Sequence, residues 1–171
     1  VQAHQGLIDV ESEKGWGATF KIYLPVPPEA VVQLDSQEGR RQEVRGGSET
    51  ILVVEDEDVL RGLVVDILRE KGYTVLSAAD GQDGVDLYRK YRKEIDLVLC
   101  DMGLPKFNGW ELFKRIKAVE SGVPLIMASG YLERQVKTNI LESGVRGFIQ
   151  KPYRPEEMLK MVRDTLDSSP R

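Results

Sequence analysis

The sequence has very few of the residues that build disulfides, histidine-based metal sites or nucleophilic triads. It contains one cysteine, Cys100, and one histidine, His4, in 171 residues. A single cysteine cannot form a disulfide within the chain, which favours a reducing compartment. A lone histidine leaves no material for a histidine-rich metal site or a Ser-His-Asp triad. The chemistry must come from other side chains, and Cys100, inside an apolar run, is predicted to be a core residue.

Long apolar stretches and an excess of basic residues are also missing. No run approaches the roughly 20 apolar residues that cross a bilayer, and the first residues do not form a signal sequence. The formal net charge of −4 argues against a nucleic-acid surface built on overall basicity. With 41% hydrophobic and 30% charged residues, the composition is typical of a soluble globular protein. We expect a cytoplasmic protein that contacts neither nucleic acid nor, through this part, a membrane.

Most of the chain alternates short apolar runs with amphipathic stretches. Runs of strand length are each followed by a stretch with apolar residues at helical spacing. Short connections predict a parallel sheet covered on both faces, that is, a doubly wound α/β domain over residues 49–168. The predicted strands are 51–54, 73–78, 95–100, 123–128 and 147–150, and the predicted helices are 59–71, 84–91, 110–119, 133–142 and 155–166.

Two further segments precede this domain. Residues 6–12 and 18–24 alternate apolar and polar side chains around a glycine-rich turn, which predicts a β-hairpin within residues 1–25. Residues 26–48 contain prolines, then Gln, Glu, Arg and Gly with few large apolar residues. That composition is typical of a linker.

Polar residues directly follow four of the five predicted strands. Because the carboxyl ends of parallel strands meet at one edge of a sheet, we expect these side chains to lie close together. Each alone is also compatible with a helix cap or a solvated loop residue, but their occurrence at successive strand ends favours a shared site. They are Glu55, Asp56 and Glu57 after the first strand, Asp101 after the third, Ser129 after the fourth and Lys151 after the fifth.

Carboxylates brought this close repel one another unless a cation lies between them. Mg²⁺ prefers oxygen ligands of this kind and can bridge carboxylate and phosphoryl oxygens. Asp101 can then act as a nucleophile towards phosphorus and form an acyl phosphate. Ser129 is placed to hydrogen-bond a phosphoryl oxygen, and Lys151 to supply a positive charge. The pattern therefore predicts a magnesium-dependent phosphoryl site.

The same residues belong to a longer pattern that spans residues 49–167. Its segments follow one another in order along the whole domain, which makes the match far more specific than any one motif. In this range the sequence resembles the receiver domain of two-component response regulators. The segments are Ile51-Leu52-Val53-Val54-Glu55-Asp56-Glu57, Asp96-Leu97-Val98-Leu99-Cys100-Asp101-Met102-x-Leu104-Pro105-x-x-Asn108-Gly109, Pro124-Leu125-Ile126-Met127-Ala128-Ser129-Gly130 and Phe148-Ile149-Gln150-Lys151-Pro152.

The resemblance implies a flavodoxin-like sheet with strand order 2-1-3-4-5 and a Mg²⁺ site. Asp101 would be the phosphoacceptor. Asp56, Asp101 and the backbone carbonyl of Gly103 would bind Mg²⁺, and Glu55 would reach the ion through water.

The resemblance also implies a switch. Ser129 would be its hydroxyl and Phe148 its aromatic residue, which in the family turns inward when the hydroxyl engages the phosphoryl group. Lys151 would contact the phosphoryl group, and the Lys151-Pro152 peptide would be cis.

The hairpin carries a second resemblance. Its pattern Gly6-x-Ile8-x-Val10-x-Ser12-Glu13-x-Gly15-x-Gly17-x-Thr19-Phe20-x-Ile22-x-Leu24-Pro25 is similar to the carboxyl-terminal end of the ATP-binding domain of sensor histidine kinases. This implies the carboxyl-terminal part of a bacterial hybrid histidine kinase. Asp101 would take its phosphoryl group from a phosphohistidine domain, in its own chain or a partner, and pass it to a histidine phosphotransfer protein. The fragment itself would not be a turnover enzyme.

Two alternatives remain at this point. Asp56-Glu57-Asp58 after the first strand also resembles the opening motif of haloacid dehalogenase phosphatases, in which Asp56 would be the nucleophile. No later acidic pair or cap domain accompanies it. The other alternative is a pseudo-receiver that keeps the fold as a protein-binding module without the chemistry.

Overall fold

A computed structural model describes four stretches of the chain: residues 5–25, 44–120, 122–130 and 134–168. The chain divides into two compact units, Val1–Glu43 and Val44–Arg171. Most of the predicted linker, residues 26–43, lies outside the described residues. Its last residues belong to the larger unit, where the Gly47 amide donates to the carbonyl of Lys71 at 3.1 Å.

The smaller unit contains the predicted hairpin, built from β1 (Leu7–Glu13) and β2 (Gly17–Tyr23). The strands are antiparallel, and directly opposed residues place their side chains on the same face. One face carries the apolar pairs Ile8–Ile22 and Val10–Phe20. These apolar side chains are at least half exposed within the described residues, so no core covers them there.

The larger unit alternates strands and helices along the chain. Its elements are β3 (Thr50–Val54), α1 (Asp58–Glu70), β4 (Thr74–Ala78), α2 (Gly81–Tyr91), β5 (Ile95–Asp101), α3 (Gly109–Val119), β6 (Leu125–Ser129), α4 (Arg134–Glu142), β7 (Gly147–Gln150) and α5 (Pro155–Asp167). The strands form one five-stranded sheet whose neighbouring strands are all parallel, in the order β4-β3-β5-β6-β7. This confirms the predicted order 2-1-3-4-5.

Two element boundaries differ from the predicted ones for identifiable reasons. Helix α2 begins three residues early, at Gly81, because the Asp80 side chain accepts a hydrogen bond from the Asp83 amide at 2.9 Å and caps the helix. Strand β6 begins two residues late, at Leu125. Pro124 has no amide hydrogen to donate, although its carbonyl still accepts from Val98 at 3.0 Å.

The sheet is buried on both faces, as its continuous apolar runs predict. Alternate residues of β3 belong to two hydrophobic core clusters, the first on one face of the sheet and the second on the other. Leu52 and Val54 pack with α2 and α3 on one face, and Ile51 and Val53 pack with α1 and α5 on the other. Cys100 lies in the first cluster, and burial raises the pKa of its thiol. Among the described helices, none combines the length and the apolar character needed to cross a bilayer.

Candidate functional site

Three acidic side chains meet at the carboxyl-terminal edge of the sheet. Glu55 and Asp56 directly follow β3, and Asp101 ends β5, the strand beside it. The register pairs Val54 with Cys100, so Glu55 and Asp101 leave the sheet at the same level. One carboxylate oxygen from each of the three residues lies within 4.8 Å of the others. Glu55 is buried, Asp101 is partly buried and Asp56 is exposed, so the cluster opens to solvent on one side.

Lys151 joins two of these acids from the other half of the sheet. It follows β7, and its Nζ lies 2.7 Å from Glu55 Oε2 and 2.9 Å from Asp101 Oδ1. Its amide donates to the Ser129 carbonyl at 2.7 Å, and the Lys151-Pro152 peptide is cis, as the resemblance implied. The structure therefore brings Lys151 to the predicted site.

The acidic cluster contains more negative than positive charge. Burial raises the pKa of Glu55, and the negative charge of Asp101 adds to this, against the opposing effect of Lys151. Burial alone would lower the pKa of Lys151, but its hydrogen bonds to Glu55 and Asp101 outweigh burial, and the pKa is raised. Lys151 is thus held as a cation. One ammonium among three carboxylates leaves a net negative pocket of oxygen ligands, which suits a hard divalent cation.

The second oxygen of Asp101 is held by the loop that follows it. The Gly103 amide donates to Asp101 Oδ2 at 2.8 Å. Gly109 crosses directly behind, where a Cβ would lie 2.4 Å from the Asp101 carbonyl oxygen, so a side chain there would displace the loop. The Asp101 carboxylate is therefore fixed at both oxygens. Metal ligation by the Gly103 carbonyl stays a prediction.

The two predicted switch residues lie at different depths. Ser129 ends β6 and is buried at the same edge as Asp101, since the register pairs Asp101 with Ala128. Phe148 lies within β7, opposite Met127, and packs inside the first core cluster with 8% of its surface exposed. The structure places one of them at the site and the other in the core beneath it, and their switching roles stay predictions.

Sequence reasoning missed one residue that supports the acids. Arg61, one turn into α1, donates from Nη1 to the carbonyl oxygens of Glu55 at 2.8 Å and Asp56 at 3.3 Å, and its other terminal nitrogen contacts Asp58. It thereby braces the loop that carries two of the three carboxylates. The i, i+3 spacing of Asp58 and Arg61 was a possible signal, but only the apolar positions of α1 entered the prediction.

Comparison with known proteins agrees with the geometry. The family described as response regulator receiver domain matches residues 51–163. This covers well over half of the chain, which belongs to that family. The matched residues form a CheY-like receiver domain of two-component signalling. The match favours neither the phosphatase nor the pseudo-receiver alternative.

Individual proteins similar to this chain include a sensor kinase and solved receiver structures. The sensor kinase CckA of Brucella abortus is 31% identical over 168 residues, which cover 95% of this chain and 18% of that protein. The chain thus spans about a fifth of this curated relative. The crystal structure of the receiver domain of the hybrid histidine kinase CckA is 32% identical, with a TM-score of 0.59 over 68% of this chain and 98% of that one. A chain in the crystal structure of the CheX-CheY-BeF3-Mg²⁺ complex from Borrelia burgdorferi is 26% identical, with a TM-score of 0.65 over 68% of this chain and 87% of that one.

Receiver domains generally bind Mg²⁺ at an acidic site, and this chain has a cluster of acidic residues, Glu55, Asp56 and Asp101, that could hold a metal ion. Its donor set consists of carboxylate oxygens alone, the ligand type that Mg²⁺ prefers. The residues present therefore fit the ion.

Proposed function

We propose that Asp101 accepts a phosphoryl group from a phosphohistidine and carries it as an acyl phosphate. The observation that carries the proposal is the double contact of Lys151 with Glu55 and Asp101 beside a third carboxylate, Asp56. A nucleophile, a cation for phosphoryl oxygens and an acidic metal site lie together at one sheet edge. No other group of three or more acidic, histidine or cysteine ligands lies this close within the described residues.

The transfer follows from these positions. A carboxylate oxygen of Asp101 forms a bond to phosphorus while the bond between phosphorus and the donor imidazole nitrogen breaks, and that nitrogen keeps the electron pair. The ammonium of Lys151, 2.9 Å from Asp101 Oδ1, lies where it can stabilise negative charge on the phosphoryl oxygens. Attack by water on the acyl phosphate returns the carboxylate and releases inorganic phosphate.

Asp56, Asp101 and the Gly103 carbonyl would hold Mg²⁺, and Glu55 would assist through water. When bound, the ion neutralises the charge of the acids and of the incoming phosphoryl oxygens. Glu55 and Lys151 keep their ion pair at the buried side of the cluster, so the exposed side near Asp56 is the side on which a donor can approach.

Ser129 and Phe148 would report the phosphorylation. The Ser129 hydroxyl would turn to a phosphoryl oxygen, and the movement of its loop would reach Phe148 through the neighbouring strands β6 and β7. Signalling would then run through the surface formed by α4, β7 and the nearby loops.

The parent protein would be a bacterial hybrid histidine kinase that acts in the cytoplasm. Support comes from the similarity to the sensor kinase CckA, which extends over 95% of this chain and so includes the hairpin as well as the receiver. Residues 1–25 would be the end of the ATP-binding domain, residues 26–48 a linker and residues 49–168 the receiver. The donor would be the phosphohistidine domain of this kinase or a partner, and the acceptor a histidine phosphotransfer protein.

Intact-protein mass spectrometry after treatment with acetyl phosphate and Mg²⁺ tests the proposal. We expect wild type to gain the mass of one phosphoryl group and Asp101→Asn to gain none. Wild type and Asp101→Asn should differ in the same way when the phosphorylated parent kinase is the donor. Equal labelling of the two proteins would contradict the proposal.

The Asp56→Asn variant separates the proposal from the phosphatase alternative. Weak labelling that is restored by high Mg²⁺ is expected if Asp56 is a metal ligand. Complete loss in Asp56→Asn together with normal labelling of Asp101→Asn would instead make Asp56 the nucleophile. Trp110, stacked on Phe113 at the start of α3, can report Mg²⁺ binding by fluorescence once the exposed Trp16 is replaced by Phe.

A further inference from the structure

The loop between β5 and α3, residues 102–108, carries a backbone conformation that its sequence does not explain. Lys106 has φ of +67°, in the left-handed region that non-glycine residues rarely adopt. Such conformations persist where surrounding contacts over-determine them, and they cluster at functional sites. The contacts of the Lys106 side chain are therefore of interest.

Lys106 reaches across to the start of α2. Its Nζ lies 2.7 Å from Asp80 Oδ2, while Asp80 Oδ1 accepts the Asp83 amide at 2.9 Å as the cap of that helix. The Asp80 side chain is 13% exposed and that of Lys106 is 58% exposed, so the ion pair is sheltered on its Asp80 side only. One carboxylate thus anchors both a helix terminus and the loop.

Phe107, the next residue of the loop, packs against the start of α2. A Cβ on Gly81 would lie 2.6 Å from the Phe107 ring and 2.7 Å from the Phe107 carbonyl oxygen, so only glycine permits this approach. The Arg115 guanidinium covers the Phe107 ring at 4.2 Å. The loop is therefore held between the start of α2 and the face of α3.

The other end of the loop holds the phosphoacceptor. The Gly103 amide donates to Asp101 Oδ2 at 2.8 Å, and the Met102 carbonyl accepts from the Gly109 amide at 3.1 Å. Because the loop is short and closed by these hydrogen bonds, a displacement of the backbone at Lys106 also displaces Gly103. We propose that Lys106, through its ion pair with Asp80, is a positioning residue that keeps the Gly103 amide on Asp101 and so sets the orientation of the carboxylate. The inference rests on the proposed function of Asp101.

Phosphorylation of the 171-residue chain by acetyl phosphate at saturating Mg²⁺ tests the inference, because a small donor needs no docking surface. Misplacement of a reacting group by a fraction of an ångström to 1 Å costs about ten- to a hundredfold in rate. We expect Lys106→Met to lower the initial rate about tenfold, and Lys106→Arg, which can keep the ion pair, to stay within about twofold of wild type. The matched control is Lys114→Met, because Lys114 is similarly exposed and pairs with Glu111 on α3. Its rate should be unchanged.

A double-mutant cycle shows whether the pair acts as a unit. Asp80→Asn keeps a capping oxygen for α2 but weakens the ion pair. It should lower the rate as much as Lys106→Met, and the double variant should lose no more than either single one. Independent, multiplied losses would contradict the coupling.

The backbone amide signal of Gly103 in a two-dimensional NMR spectrum, recorded without donor, tests the positioning separately. It should move in Lys106→Met and stay in place in Lys114→Met, while the remaining signals confirm that both variants are folded. An unmoved signal would overturn the inference, whatever the rate does. Failure of wild type to be phosphorylated would instead overturn the proposed function, and the Gly103 signal would still decide the role of Lys106.

Discussion

The two rims of the parallel sheet carry similar charged groups but pair them in different ways. At the amino-terminal rim, Glu49 precedes β3 and accepts two hydrogen bonds from Arg163 of α5, at 2.8 and 3.2 Å. Arg163 also contacts Asp167 and the Tyr73 hydroxyl. At the carboxyl-terminal rim, beyond the other end of β3, one lysine faces a cluster of three carboxylates.

The pKa shifts of two glutamates at opposite ends of β3 express this difference. The hydrogen bonds from Arg163 lower the pKa of Glu49, despite its partial burial. Burial, with the negative charge of Asp101, raises the pKa of Glu55. The amino-terminal rim therefore stabilises the ionised carboxylate and with it the fold. The carboxyl-terminal rim keeps an excess of negative charge that costs stability and is available for a cation, as functional sites often do.

The largest loss of stability is expected at the amino-terminal rim, when the cation that neutralises Glu49 is removed. Arg163→Met leaves Glu49, whose side chain is only 15% exposed, without its guanidinium partner. Removing one member of a sheltered pair is strongly destabilising, because the other charge stays partly desolvated. We expect the free energy of unfolding to fall by about 2 kcal/mol, measured by urea denaturation at pH 7.

Arg89→Met is the matched control for that measurement. Arg89 pairs with Asp86 at 3.6 Å, and both side chains are more than half exposed. Such pairs contribute about 0–1 kcal/mol, so this variant should lie close to wild type. Equal destabilisation by both substitutions would show that the amino-terminal rim is no better compensated than the surface.

The opposite sign is expected at the carboxyl-terminal rim. Asp56→Asn removes one of three charges that lie within 4.8 Å of one another. Because Asp56 is exposed, solvent screens the repulsion, and its relief is worth only about 0.5–1 kcal/mol. Without Mg²⁺ and at low ionic strength, the variant should therefore unfold at higher urea than wild type. Mg²⁺ should raise the stability of wild type and leave that of the variant nearly unchanged.

Asp66→Asn serves as the control, because Asp66 is an exposed acid on α1 outside the cluster. It should neither gain stability without Mg²⁺ nor lose the response to the ion. A loss of stability in Asp56→Asn would mean that the three carboxylates do not repel one another in the folded protein.

The contrast between the rims also separates what the sequence predicts from what it does not. Buried strands read as continuous apolar runs, so the five strands, their order and the acids at their ends follow from pattern and family resemblance. Glu55, Asp56 and Asp101 stand directly after such runs, and the fold does the rest by bringing strand ends together.

Pairs between side chains far apart in the chain leave no comparable pattern. Arg163 and Glu49 are 114 residues apart, and Lys106, at a positive φ in the loop after β5, reaches Asp80 before α2. Whether two such groups meet depends on the packing of α5 or of the loop, which no local period encodes. The sequence therefore could not predict the pair of Arg163 with Glu49 or that of Lys106 with Asp80, whereas it did predict the acidic residues of the site.

The smallest effect concerns the pH dependence of stability, which should have opposite signs at the two rims. Glu49 has a folded pKa below its ordinary value of 4.5, so its contribution is full above that value and is lost as the pH falls through the folded pKa. Glu55 has a folded pKa above 4.5, so its contribution is full below that value and is lost as the pH rises through the folded pKa.

In Mg²⁺-free buffer between pH 7 and 3, Glu49→Gln should therefore lose less stability on acidification than wild type. Glu55→Gln should lose more in the range just above pH 4.5, by less than about 1 kcal/mol. Urea denaturation at each pH measures both differences, and shifts of the same sign in the two variants would contradict the proposed contrast between the rims.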